Sequence, residues 1–487
     1  NNINSFLWGQ YVVPTEGGVW QKSNWQNIRN INYFMTHYQS VQAAEADVNI
    51  YVAEMRFFRA LEYFNKIQLL GDVPWLEVDL NVDSEELYGP KMKRNQVFQK
   101  IIEDLDFAIQ WLPEAGSEEA NRLNKDIARH VKARFCLNEG THYKYHDELE
   151  YASEAEKWLQ MAATESDKLI TSGRYEIYNT GHPQEDYFNM YRIDDKSDLK
   201  EAVLYVDYKT NILEHNMAAA GREAGCGFSK SFVESFLCSD GLPISLSNKY
   251  LGDETMRKET ANRDPRLKQL ILTNDFPTNV TDDLKDSTFV VNEDEFITQH
   301  CFTGYRPIKG FNPIYSQALY MKSSFDGIAY RYAETLLINA EAKAELNTIT
   351  NADLDRTVNQ LRDRVGMPHL TVNVGFTDPK WPDWGYSLSP ILQEIRRERC
   401  IELAGEGFRF NDLKRWKAGK VLNNVLTYVG KRKPDGNLAI VYPNYTNPDL
   451  SYQAGKSRTW EDKMYLYPIP TGELQRNPQL LPQNPGW

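Results

Sequence analysis

The sequence predicts a mainly α-helical protein whose helical scaffold is interrupted by a loop-rich, irregular region. Three observations predict it. Apolar residues recur at helical spacing between about residues 20 and 175. After residue 200 that periodicity stops and Gly, Asn, Asp and aromatic residues dominate. It then returns at "YRYAETLLINAEAKAEL". With 487 residues, 41% hydrophobic and 25% charged, the chain has an ordinary globular mix and can bury a large core without disulfides.

The elements follow in chain order. "AEMRFFRALEYFNKIQLLGDVPW" is a helix that Gly71 caps and Pro74 prevents from continuing, which places Trp75 in the loop beyond. In "NQVFQKIIEDLDFAIQWLPE", Val97, Ile101, Leu105, Ala108 and Leu112 share one stripe, and Pro113 ends the helix. "NKDIARHVKARFCLNEG" and "EYASEAEKWLQMAATESDKLITSGRYEIY" read as two more helices. Asn124 or Asp126 caps the first at its start, and Gly140 and Gly173 sit where C-terminal caps belong. This alternation resembles tetratricopeptide-like helix pairs, which bury a continuous core by stacking. "EAVLYVDYKT" is strand-like, residues 211–330 form a loop-dominated insertion, and helices resume over 331–418. Within that stretch 389–418 reads as one helix. The end of the chain, "YLYPIPTGELQRNPQLLPQNPGW", has too many prolines for a helix. It is expected to be an extended strap that buries Tyr465, Tyr467, Ile469, Leu474 and Leu480 between helices.

Composition narrows the function. A net charge of −13 argues against nucleic acid, whose phosphates need clustered Lys and Arg, and against adhesion to anionic lipid. No apolar run is long enough to span a membrane. The chain starts at Asn1 rather than Met, so a processed or trimmed N-terminus is expected. Five scattered cysteines, Cys136, Cys226, Cys238, Cys301 and Cys400, read as buried free thiols.

No catalytic signature stands out. "GREAGCGF" lacks the context of a dinucleotide loop. His142 and His146, with Glu139 one turn earlier, have zinc-like spacing but sit at a helix end in polar company, so solvated histidines are expected. On the 389–418 stretch, Glu398, Arg399 and Glu402 continue the side occupied by Ile391, Leu392 and Ile395. Charges on a buried stripe need partners, and Arg396, Arg409, Asp412 and Arg415 are close along the chain. A structural ion network is preferred over an acid–base pair.

Four stretches together resemble the SusD/RagB family of glycan-binding outer-membrane lipoproteins: "AEMRFFRALEYFNKIQLLGDVPW", "YRYAETLLINAEAKAEL", "EIRRERCIELAGEGFRFNDLKRW" and "YPIPTGELQRNPQLLPQNPGW". "SDGLPI" and "NRDPRL" add shorter matches. The resemblance implies an N-terminal helical region over 1–200 and a C-terminal region over 201–487. It also implies a non-catalytic protein that captures oligosaccharide for a SusC-like TonB-dependent transporter. Localisation at the cell outer membrane through a lipid anchor, in a Bacteroidetes-type organism, is implied in the same way; the lipid-bearing Cys is not among these residues.

What remains to carry function is loop aromatics, whose flat faces stack on sugar rings while polar side chains bond hydroxyls. The family's glycan contacts lie before the first helices and in the irregular middle, which implicates Trp8, Trp20, Tyr305 and Tyr315. Trp75 is added from the turn geometry. Phe302, Phe311, Trp381 and Trp384 belong to the same group of loop rings, whereas Trp25 starts a stripe with Ile28 and is expected in the core. No cofactor is expected, and whether a calcium ion supports a loop is not readable from the residues. Two other classes compete. A glycoside hydrolase would need two carboxylates facing across a cleft. A helical-repeat scaffold that binds only protein would turn its loop rings inward.

Overall fold

A computed structural model describes residues 6–118, 121–218, 227–273, 279–280, 286–287, 301–440 and 457–487. Among them are fifteen α-helices and three two-stranded antiparallel ribbons, so the chain is mainly α as expected. Two compact units form. Unit 1 comprises Asn1–Glu165, Asn411–Gly419 and Thr459–Trp487; unit 2 comprises Ser166–Phe410 and Lys420–Arg458.

Unit 1 is built on α1 (Gln26–His37), α2 (Glu45–Leu70), α3 (Arg94–Trp111) and α4 (Lys125–Tyr145), followed by α5 (Ala155–Ser172), within which the division falls. Consecutive helices from α1 to α4 pack on one another. Glu45 and Asp47 place negative charge at the positive end of α2, and Gly71 ends it at φ 74°, a conformation that costs glycine little. The expected stripe of α3 is buried, and its last helical residue, Trp111, precedes Leu112–Pro113. Asn124 caps α4 by accepting the Ile127 N–H at 3.0 Å. Buried ion pairs pin neighbouring helices: Arg59 grips Asp104 with two bonds of 2.7 Å, and Arg94 grips Glu139 at 2.8 and 2.6 Å.

Gly140 corrects one expectation. It lies inside α4 rather than at its end, and a Cβ there would stand 2.9 Å from the backbone nitrogen of Leu159 on α5. It is a close-approach glycine. The histidines correct another. His142 and His146 are buried, because Asn411–Gly419 and the C-terminal strap cover the last turn of α4. His146 Nε2 donates to the Lys414 carbonyl at 2.9 Å, and the Tyr465 ring meets the His146 ring edge-on at 4.9 Å. Glu139 is committed to Arg94, and among the described residues no group of three metal-ligating side chains forms.

The strap is buried as expected at Tyr465, Tyr467, Ile469 and Leu480, with Leu474 half-buried. It also folds one short helix, Thr471–Arg476, between its prolines, which the proline count had argued against. Its backbone is satisfied by unit 1 itself: Tyr467 N–H donates to the Leu69 carbonyl at 2.8 Å, and Thr471 N–H to the Pro14 carbonyl at 3.0 Å. Asn484 Nδ2 donates to the Leu70 and Tyr467 carbonyls, and Phe6 stacks on Tyr467 at 4.7 Å.

In unit 2, β1 (Ala202–Val206) pairs antiparallel with β2 (Gly327–Arg331), which runs directly into α6 (Tyr332–Glu345). "DLDRTVNQLRDRVGMP" divides into Asn351–Asp355, started by a capping box of Thr350 and Asp353, and α7 (Val358–Arg364). The stretch expected as one helix over 389–418 is two: α8 (Pro390–Glu402) and Arg409–Arg415. Gly405 and Gly407, at φ 76° and 85°, break it between them. α8 packs on α6. Cys136, Cys238 and Cys301 are buried free thiols and Cys400 is a half-buried one; Cys226 lies outside the described residues. Among the described residues no helix is long and apolar enough to cross a membrane.

Candidate functional site

Unit 1 carries a cleft of about 510 Å³. Two short 3-10 turns, Gly18–Trp20 and Lys22–Asn24, bring Trp20 and Lys22 to one wall ahead of α1. The α1 side supplies Trp25, Ile28, Arg29 and Asn32. The floor is the extended segment after α2. Adjacent side chains of an extended chain point to opposite sides, and Pro74, Leu76, Val78 and Leu80 all line the cleft. Trp20 and Trp25 stand at 61° with ring centroids 5.2 Å apart, an angled indole corner.

Polar groups hold the floor in place. The Leu76 carbonyl accepts from Asn32 Nδ2 at 2.9 Å and from the Tyr63 hydroxyl at 3.1 Å. Burial pushes the Tyr63 phenol up, which keeps it a hydroxyl donor. Lys66 donates to the Asn24 carbonyl at 2.6 Å with its ammonium 4.8 Å from the Trp25 ring, and burial pulls its pKa below the usual lysine value. Two atoms are left over. Trp25 Nε1, a donor, and Asn32 Oδ1, an acceptor, are buried with no hydrogen-bond partner. Such groups are costly unless something satisfies them.

The five expected contact residues fare differently. Trp20 lines the cleft. Trp8 is half-buried in unit 1 and is not among the cleft's lining residues. Trp75 has the wrong parity for the cleft. It packs against Tyr63 with centroids 4.0 Å apart, its Nε1 donates to Glu77 at 2.6 Å, and Arg59 and Lys100 lie over its ring. Tyr305 is 0% exposed in the core of unit 2, its hydroxyl bonded to Glu259 at 2.8 Å, so its ring offers no open face. Burial and the Glu259 carboxylate push that phenol well above its ordinary value. Tyr315, also in unit 2, is 52% exposed. Phe311 and Trp384 are buried as well, the latter with Nε1 bonded to Gln393. Trp25, expected in the core, is instead half-buried and forms the second wall of the indole corner. Trp25 and Asn32 are the residues that sequence reasoning missed. The alternation of Pro74, Leu76, Val78 and Leu80 was a readable signal for that side of the loop.

The buried carboxylates form a structural network in unit 2. Glu402, 0% exposed, accepts from Arg364 at 2.6 and 2.7 Å, Arg331 at 2.7 Å and Arg266 at 2.9 Å. Burial opposes its ionisation, yet the Arg364, Arg331 and Arg266 guanidiniums hold it well below the usual carboxylate range. Glu398 pairs with Arg266 and Arg362. The partners thus come from distant elements, not from the neighbours expected along the chain; Arg396 binds Glu345, and Arg415 binds Asp412. Carboxylates so enclosed have no access to a substrate.

The SusD family pattern matches residues 170–487, more than half of the chain. The chain belongs to the SusD family. It is 24% identical over 456 residues to SusD-like protein P2 of Formosa agariphila, covering 91% of this chain and 75% of that one. Among solved structures, a SusD-like protein from Bacteroides fragilis superposes with a TM-score of 0.73 at 24% identity, covering 99% of this chain and 89% of the other. A SusD-like carbohydrate binding protein from the same species superposes with a TM-score of 0.72 at 22% identity and the same coverage. For this SusD-family chain, the helical scaffold is therefore the fold of its relatives.

Proposed function

We propose that this SusD-family protein is a non-catalytic glycan-binding protein that captures an oligosaccharide in the Trp20–Trp25 cleft. The observation that carries the reading is the pairing of an indole corner with one orphaned donor and one orphaned acceptor. A sugar suits both: its C–H faces stack on aromatic rings, and each hydroxyl can donate and accept. Small shifts of Trp25 and Asn32 would bring their buried atoms to such hydroxyls. The structural likeness to a SusD-like carbohydrate binding protein of Bacteroides fragilis supports the same ligand class.

The bound sugar is then handed to a SusC-like TonB-dependent transporter, and a lipid anchor holds the protein at the cell surface; both steps rest on membership of the family. Handover asks for modest affinity and release without bond cleavage.

Calorimetric titration with a panel of neutral oligosaccharides tests the cleft. Stacking contributes about 0.5–1.5 kcal/mol per aromatic pair, so Trp20→Ala and Trp25→Ala should each weaken binding by roughly 2- to 12-fold. Tyr305→Phe should leave affinity unchanged. Unaltered affinity in both tryptophan variants would remove the cleft from consideration, and release of reducing sugar during incubation would make the protein an enzyme.

A further inference from the structure

Away from the cleft, unit 1 encloses a second, much smaller cavity of about 10 Å³, the space of a single water-sized particle. Arg94 from α3, Asn138 and His142 from α4, and Asn411, Lys414 and Arg415 from the returning segment all line it. Its charges do not balance. Arg94 is neutralised by Glu139 at 2.6 Å, and Arg415 by Asp412 at 2.9 Å. Glu148, beside the cluster, is engaged by His146 at 3.2 Å and by Lys417 at 2.6 Å. Lys414 alone has no carboxylate within ion-pair distance among the described residues. Its ammonium donates to the Gln68 carbonyl at 2.7 Å and is otherwise walled in, with the residue 8% exposed.

We propose that this cavity binds one halide-sized monovalent anion, which neutralises Lys414. A buried, unpaired ammonium is strongly disfavoured, and an anion in contact with it removes the imbalance. The wall is rich in polar groups that carry hydrogen: two guanidiniums, three carboxamides including that of Gln68, an imidazole and the Tyr465 phenol. The narrow space favours a single small ion over a larger polyatomic one. Without a counter-ion, burial and repulsion from Arg94 pull the Lys414 ammonium down to about 7. The nearby histidine adds no competing charge, since burial and Arg94 hold His142 well below its ordinary value. Halide binding and lysine protonation therefore favour each other, so the site is strongest at low pH.

Thermal unfolding of the full chain at pH 6 and constant ionic strength, in sodium chloride or bromide against sodium gluconate, reads this linkage. Halide should raise the midpoint by about 1–3 °C in a saturable way, with a smaller rise at pH 9. Lys414→Met, or Lys414→Gln if the first fails to fold, should abolish the difference. Crystals soaked in bromide should show an anomalous peak in contact with Lys414 Nζ. Absence of that peak, or a halide effect that persists in the lysine variants, would overturn the proposal.

Discussion

Single residues in this protein matter chiefly through what would be left unpaired without them. Glu402 accepts from three arginines of unit 2, so Glu402→Gln strands buried positive charge. A loss of about 3–5 kcal/mol is expected, read as a lower urea midpoint at unchanged slope. Lys414 makes the opposite contribution. Its folded pKa, about 7, lies below the lysine value of 10.5, so the unfolded chain binds more protons between those limits. In halide-free buffer this residue's contribution should therefore make stability rise from about pH 7 to pH 10.5, and Lys414→Met should flatten that slope in denaturant titrations. The candidate site was only partly legible at this scale. Trp20 is where a loop ring was wanted. Trp25 and Tyr305 exchanged roles because a tryptophan at the start of a helix and a tyrosine in a loop look alike in sequence whether they face solvent or core. Their exposure is set by what folds over them: Tyr305 belongs to the buried apolar core of unit 2, whereas Trp25 meets the Trp20 ring and the Lys66 ammonium at the cleft.

At the scale of elements, periodicity and breakers were reliable where the next neighbour was local. The Asn124 cap, the Gly71 stop and the Pro113 stop depend on residues within a turn or two, and each is present. Errors arose where a second element decides. Gly140 is read from sequence as a cap, yet its role is to let α5 approach α4. Gly140→Ala would drive a methyl group to 2.9 Å from the Leu159 nitrogen and should cost about 1–3 kcal/mol, measured by the same denaturation. Conversely, the break at Gly405 and Gly407 was written in the sequence. The apolar and charged spacing of 389–418 runs through these glycines without a gap, so periodicity alone does not reveal the break. The loop after α2 teaches the same lesson: one residue of register separates the cleft-lining Leu76 from Trp75, which faces Tyr63.

At the scale of the whole molecule, unit 1 is closed by a segment from the far end of the chain. Tyr465, Tyr467, Ile469 and Leu480 are buried there, and burying a large apolar side chain contributes about 1.5–3 kcal/mol. Their sum, roughly 6–12 kcal/mol before chain entropy is counted, rivals the 5–15 kcal/mol that holds a typical domain together. Deleting residues 465–487 should therefore abolish cooperative melting of unit 1 in calorimetry while far-UV helicity falls only in part. By itself the sequence determined the helical class, most helix starts and stops, the loop-rich middle, the burial of the strap and the family resemblance. These depend on local backbone preferences, on the spacing of apolar side chains and on motifs in order. Only the tertiary structure decided which aromatic faces stay open, which arginines meet Glu398 and Glu402, and that residues 411–419 and 459–487 return to the first unit. Most of those outcomes depend on contacts between segments tens to hundreds of residues apart, and nothing in the local chemistry of either segment encodes its partner.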